Sequence, residues 1–141
     1  MKSFLLFAAI LCAVVLSSSA PLTTEAASAA KKERATVVFN DPVKLMGITL
    51  QGEYLFVHDD EAMLRGDACT RVYRGAGESA SKLVASFHCL PQIGHRVSNF
   101  TVRTRMISPG EYEVTDYQFA GSVEAHRVPV NHPSTPVAIA H

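Results

Sequence analysis

Short runs of β-branched and aromatic residues, separated by clusters of Gly, Pro, Ser and Asn, are the feature that most limits how this chain can fold. The run at residues 100–107 alternates apolar and polar side chains, as a strand buried on one face does. Similar runs occupy residues 36–39, 43–50, 53–58, 69–74, 83–90, 112–120 and 124–128. Seven or eight short strands predict an all-β fold, a small antiparallel sandwich or barrel.

Helix signals are nearly missing from the sequence. One helical turn is predicted at residues 60–65, where Asp59 or Asp60 can cap the start and Gly66 can end it. This is too little helix for βαβ units, so doubly wound folds are excluded. Gly47 interrupts an apolar run, which predicts a bend or a bulge at that point.

The first 20 residues have the layout of a secretory signal peptide. Lys2 precedes an uncharged apolar run at residues 4–16, and small residues follow. The run is shorter than the roughly 20 residues that span a bilayer, although a retained anchor is the alternative interpretation. Cleavage is expected near Ala20 or as late as Ala29. We therefore expect a secreted or periplasmic product with no transmembrane segment after cleavage.

Composition divides the rest of the chain into three parts. Residues 21–35 are small and charged and predict a flexible leader, residues 36–128 a single β domain, and residues 129–141 a tail containing Pro and His. The whole chain balances 13 Lys and Arg against 13 Asp and Glu. Without a basic excess to release counterions, a general nucleic-acid binder is excluded.

Several segments resemble a family of small secreted bacterial β-domain proteins that has no assigned function. They are residues 39–43 (FNDPV), 47–60 (GITLQGEYLFVHDD), 65–70 (RGDACT), 86–89 (SFHC) and 119–126 (FAGSVEAH). The resemblance covers roughly residues 36–128. It implies an exported bacterial product, and it transfers no known chemistry and no catalytic residue.

Two cysteines, Cys69 and Cys89, remain after removal of the signal peptide. In an oxidising compartment, an even pair in a small β domain is most often a disulfide. One opens its predicted strand and the other closes the next, which places both at the same end of an antiparallel pair. A bridge across this interval would contribute about 3 kcal/mol, mainly by restricting the unfolded chain.

A metal site is the alternative use of these side chains. Imidazole and thiolate ligands suit copper or zinc. The candidate ligands are His58, His88, Cys89 and His126, and the side chains of Met63 and Cys69 are also of types that bind these metals. His88 and Cys89 are neighbours in a predicted strand and therefore point to opposite faces, which opposes both of them ligating one ion. In the disulfide interpretation no cofactor is expected.

A third candidate feature is positively charged. Arg103 and Arg105 share the outward face of their predicted strand, with Arg71 nearby, and could recognise an anionic ligand. The alternative is a solubilising face that discourages edge-to-edge pairing.

These residues favour an exported, non-catalytic binding or structural module stabilised by one disulfide, with a cell-envelope or extracellular partner. A copper- or zinc-binding envelope protein is the second hypothesis. The third is a small hydrolase in which His58, Asp116 or His126 would have to converge, although the sequence contains no recognisable nucleophile motif.

Overall fold

The computed structural model describes residues 30–130 of the 141-residue chain. The described residues form eight strands, one α-helix and a 3₁₀ turn at Ala80–Lys82. The elements are β1 (Lys32–Leu45), β2 (Ile48–Asp59), α1 (Asp60–Leu64), β3 (Thr70–Arg74), β4 (Leu83–Phe87), β5 (Leu90–Ile93), β6 (Thr101–Ser108), β7 (Glu111–Gln118) and β8 (Glu124–Arg127). The predicted signal peptide and nearly all of the predicted tail lie outside the described residues. Between residues 30 and 130 no helix has the length and apolar character to cross a membrane.

All eight strands belong to one curled sheet that resembles half a barrel. The order is β4-β3-β2-β1-β7-β8-β5, and β6 pairs with the other side of β7. Although β4 and β5 stand at opposite ends of this order, only His88 and Cys89 separate them along the chain. The sheet must therefore curl until its two ends approach each other. The predicted all-β fold is confirmed.

The sheet differs from the prediction in one pairing. Most neighbours are antiparallel, but β1 and β7 pair in parallel where Val43 and Lys44 meet Tyr112 and Glu113. Only these two positions pair. This short parallel contact joins the β1–β4 half of the sheet to the β5–β8 half.

A tight turn joins β1 to β2. Met46 and Gly47 both have positive φ angles, 51° and 84°, as the two-residue hairpin turn of the right twist requires. Gly47 thus closes a hairpin, whereas a bend or bulge was predicted there. The irregularity in β1 lies instead between Phe39 and Val43, where the register with β2 shifts and Pro42 offers no N–H for the sheet.

Two predicted boundaries are wrong. β1 begins at Lys32, so residues 32–35, predicted to belong to the flexible leader, form part of the longest strand. They are held there because Glu33 and its neighbours pair with the end of β2. The run at 83–90 is two strands, because the chain leaves β3 at Phe87 and resumes beside β8 at Leu90.

The predicted helical turn is confirmed as α1. The side chain of Asp59 accepts a hydrogen bond from the backbone N–H of Ala62 at 3.2 Å, and Gly66 follows the helix with a φ of 81°. This cap and this glycine fix where β2 ends and β3 can begin.

Aromatic side chains fill the concave side of the curled sheet. The ring of Phe56 lies 5.3 Å from that of Tyr117 and 5.6 Å from that of Phe100, and Phe100 lies 5.2 Å from Phe119. Phe56 and Tyr117 are fully buried. The core therefore joins β2 to β7 across the curl, and the polar side chains described next lie at one end of it.

Candidate metal centre

Two rows of paired residues place polar side chains inside the curl. In the first row, Glu33 of β1 pairs with His58 of β2, which pairs in turn with Thr70 of β3. In the second, Tyr117 of β7 pairs with His126 of β8. Paired residues project to the same face of a sheet. Because the sheet curls, the two rows meet, and the rings of His58 and His126 lie 4.0 Å apart.

The cysteines join this cluster from the ends of two strands. Cys69 immediately precedes β3, and its carbonyl accepts a hydrogen bond from the N–H of Asp59 at 2.9 Å. Cys89 follows β4 and donates its own N–H to the Sγ of Cys69 at 3.2 Å. Both side chains are buried. The start of β3 and the β4–β5 connection thus present two sulfurs to the imidazoles.

The two sulfur atoms lie 3.1 Å apart. A disulfide bond is about 2.05 Å long, so both cysteines carry free thiols in this structure. The predicted partners are brought together, and the covalent bond between them stays a prediction.

Hydrogen bonding makes the two thiols unequal. The hydrogen bond between the two sulfurs lowers the pKa of Cys69 and raises that of Cys89. Burial opposes a charge on His58, but its hydrogen bond to Cys69 and the negative charge there outweigh burial and raise the pKa of His58. Cys69 is therefore the more readily ionised of the two thiols, and it lies beside His58.

The pKa of His126 is shifted in the opposite direction to that of His58. Burial, together with the charge of neighbouring His58, lowers the pKa of His126 to about 4. Its Nδ1 lies 3.7 Å from a carboxylate oxygen of Glu124, but a neutral ring makes this a polar contact and not an ion pair. Its Nε2 is fully buried and has no hydrogen-bond partner. An unpaired buried nitrogen is costly, so this atom is a candidate ligand.

A buried hydroxyl pair closes the cluster on the side of the aromatic core. The hydroxyls of Thr70 and Tyr117 are 2.5 Å apart and belong to opposite halves of the sheet. Burial raises the pKa of Tyr117 well above its usual range, so the phenol stays neutral. The bond therefore links β3 to β7 without introducing a charge.

We expect Thr70→Val to destabilise the protein by about 1–3 kcal/mol, because it leaves the buried hydroxyl of Tyr117 without its partner. Urea unfolding followed by circular dichroism measures the change. Tyr117→Phe and the double variant complete the comparison. If the two single losses simply add in the double variant, the hydroxyls do not interact as described.

The cluster has the composition of a metal centre. The ligand atoms of His58, Cys69 and Cys89 lie within 4.8 Å of one another, and Nδ1 of His126 is 3.5 Å from the sulfur of Cys89. Two thiolates on one tetrahedral zinc stand about 3.8 Å apart, since each Zn–S bond is about 2.3 Å. The observed 3.1 Å lies between the disulfide and the zinc spacing. The sulfurs would have to approach by about 1 Å to form the disulfide, or separate by about 0.7 Å to bind zinc.

Three of the four predicted metal ligands come together and one does not. His58, Cys89 and His126 are all buried in the cluster, whereas His88 is exposed. His88 projects away from Cys89, as the alternation of a strand predicts. Cys69, which was predicted to form a disulfide, is the fourth potential metal ligand in the cluster. Glu33 was missed, because it lies in the segment predicted as a leader.

The three predicted anion-binding arginines each contact a carboxylate. Arg71 binds Asp59 at 3.0 Å, and Arg105 binds Glu113 at 2.9 Å. Arg103 pairs with Asp116, so Asp116 is engaged on the sheet surface. An anionic ligand would have to compete with these pairs, and the anion-binding face stays a prediction.

Comparison with known proteins finds no matching family model, no similar curated protein and no similar solved structure. The resemblance to small secreted bacterial proteins therefore stays a prediction.

Proposed function

We propose that this protein binds one soft metal ion, Zn²⁺ or Cu⁺, through Cys69, Cys89, His58 and His126. The observation that supports this most directly is the convergence of two sulfurs and two imidazoles in a buried site. Within this site the Sγ atoms of Cys69 and Cys89 lie 3.1 Å apart, and the Sγ of Cys89 lies 3.5 Å from Nδ1 of His126.

The donor types fit this class of ion. Thiolate and imidazole together favour zinc or copper over Mg²⁺ or Ca²⁺, which prefer oxygen. A carboxylate also accompanies the imidazole of His58, since an oxygen of Asp60 lies 3.4 Å from its Nδ1. Such carboxylates orient the rings of metal-binding histidines. Because all four donors are buried, we infer a role in holding or stabilising and not in catalysis.

We expect the reduced protein to bind one ion per chain, and Co²⁺ serves as the spectroscopic probe for the zinc state. Thiolate ligation gives an intense near-ultraviolet charge-transfer band, and tetrahedral geometry gives strong visible bands. Cys69→Ser should weaken binding by more than the roughly 10- to 100-fold that loss of an outer-sphere partner costs. Titration with Zn²⁺ and, under anaerobic conditions, with Cu⁺ then decides between the two ions.

His88→Ala is the matched control, because His88 adjoins Cys89 in sequence but faces solvent. Its affinity for Zn²⁺ and Cu⁺ should equal that of the wild type. A reduced protein that shows no thiolate-to-cobalt band would contradict the proposal.

The second candidate function is the exported, non-catalytic module stabilised by a Cys69–Cys89 disulfide. It is favoured by the same short separation of the sulfurs, which need approach by only about 1 Å to bond. Fractionation of the producing cells, with sequencing of the N-terminus, tests the export and the cleavage near Ala20 or Ala29 on which it depends.

A further inference from the structure

We infer that Glu33, His58 and His126 form a second metal-binding set that contains no sulfur and takes a divalent cation, Cu²⁺ or Zn²⁺. The ligand atoms of these three side chains lie within 4.8 Å of one another. This goes beyond the proposed thiolate site, because it depends on none of the atoms of Cys69 or Cys89.

The β1–β2 pairing positions the carboxylate. Glu33 stands directly opposite His58 in the register, and its side chain is only 13% exposed although it lies near the start of the strand. Its present partner is the ammonium group of Lys31, a side chain that is 60% exposed. An exposed lysine is a weak competitor for a carboxylate, so a divalent cation can replace it.

The imidazoles supply the second, independent observation. His126 is 2% exposed and its Nε2 has no hydrogen-bond partner. In both histidines Nδ1 lies toward a carboxylate, Asp60 in one case and Glu124 in the other, and Nδ1 of His126 also contacts the sulfur of Cys89. This leaves the unpartnered Nε2 of His126 for an ion and reproduces, at that residue, the carboxylate–histidine–metal order of known centres. A ligand set of two imidazole nitrogens and one carboxylate oxygen suits Cu²⁺ and Zn²⁺.

Because His58 and His126 belong to both sets, the two sets are alternatives for one ion. The sulfur-free set stays complete in a form of the protein whose cysteines are joined in a disulfide. It therefore gives the protein a binding site for a divalent cation in an oxidising compartment as well as in a reducing one.

Cu²⁺ titration of the Cys69→Ser/Cys89→Ser variant tests the inference. We expect one Cu²⁺ per chain, with an electron paramagnetic resonance spectrum showing coupling to two imidazole nitrogens. Adding Glu33→Gln should weaken the affinity at least about tenfold, since it removes the only anionic ligand of the set. Glu53→Gln, an exposed carboxylate on β2, and His88→Ala, an exposed imidazole, are the matched controls and should leave it unchanged.

The inference is overturned if the double variant binds no Cu²⁺, or if Glu33→Gln and Glu53→Gln give equal affinities. Should circular dichroism show that the serine variant does not fold, Cys69→Ala/Cys89→Ala takes its place without adding hydroxyls to the buried site. Failure of the thiolate site would appear only in the reduced wild type, as the missing cobalt band. The two results are thus separable.

Discussion

Phe56→Ala is expected to lower the free energy of unfolding by about 3–5 kcal/mol, because it empties the centre of the aromatic core. The ring of Phe56 is fully buried between those of Tyr117 and Phe100. A loss of this size is a large share of the roughly 5–15 kcal/mol by which domains are usually stable. Urea unfolding followed by far-ultraviolet circular dichroism measures it as a lower midpoint with an unchanged slope.

Val38→Ala is the matched control, since Val38 lies on neighbouring β1 but is 59% exposed. Its cost should stay below about 1 kcal/mol. Equal losses in the two variants would contradict the position assigned to the core.

Closing the Cys69–Cys89 disulfide is expected to stabilise the protein by about 3 kcal/mol, because the bond restricts an interval of 20 residues in the unfolded chain. Glutathione disulfide is a suitable oxidant: the two thiols lose two protons and two electrons, and the reagent becomes two molecules of glutathione. We expect the thermal midpoint to rise by more than about 10 °C relative to the reduced form. Scanning calorimetry with metal chelated measures the shift.

Cys89→Ser is the control, because it keeps the cluster polar but cannot close the bond. Glutathione disulfide should not raise its midpoint, because the only product open to the remaining Cys69 is a mixed disulfide with one glutathione, which closes no loop in the chain. The oxidised wild type should also lose its affinity for Cu⁺, since both sulfur ligands are consumed. An oxidised protein that unfolds at the same temperature as the reduced one would show that closing this bond adds no stability.

The local features were predictable because short-range rules determine them. Alternation predicted a strand at residues 100–107, found as β6, but its predicted half-burial is wrong beyond Val102, because Thr104 and Met106 are exposed. Alternation also predicted that His88 and Cys89 face apart. The capping residue Asp59 and the terminating Gly66 predicted α1. Hydrophobic period, capping and turn chemistry act over a few residues, so a single sequence displays them.

The residues around Glu33 follow a strand pattern that the neighbouring charged residues made hard to recognise in the sequence. Residues 33, 35 and 37 are half-buried and alternate with exposed neighbours, a period of two that extends β1 backward from Val37. The charged residues at 31–34 hid this pattern, because they resemble a solvated leader. Burial of Glu33 becomes evident only when His58 is placed opposite it.

The sequence by itself determined the strand pattern, the nearly helix-free fold and the placing of Cys69 and Cys89 at one end of neighbouring strands. Only the tertiary structure decided that the rings of His58 and His126 pack together beside those sulfurs, and that Thr70 bonds Tyr117 47 residues away. The reason is the curl of the sheet. The short parallel contact between β1 and β7 and the two-residue passage from β4 to β5 bend the sheet until its halves face each other, and no local pattern records which strands will meet.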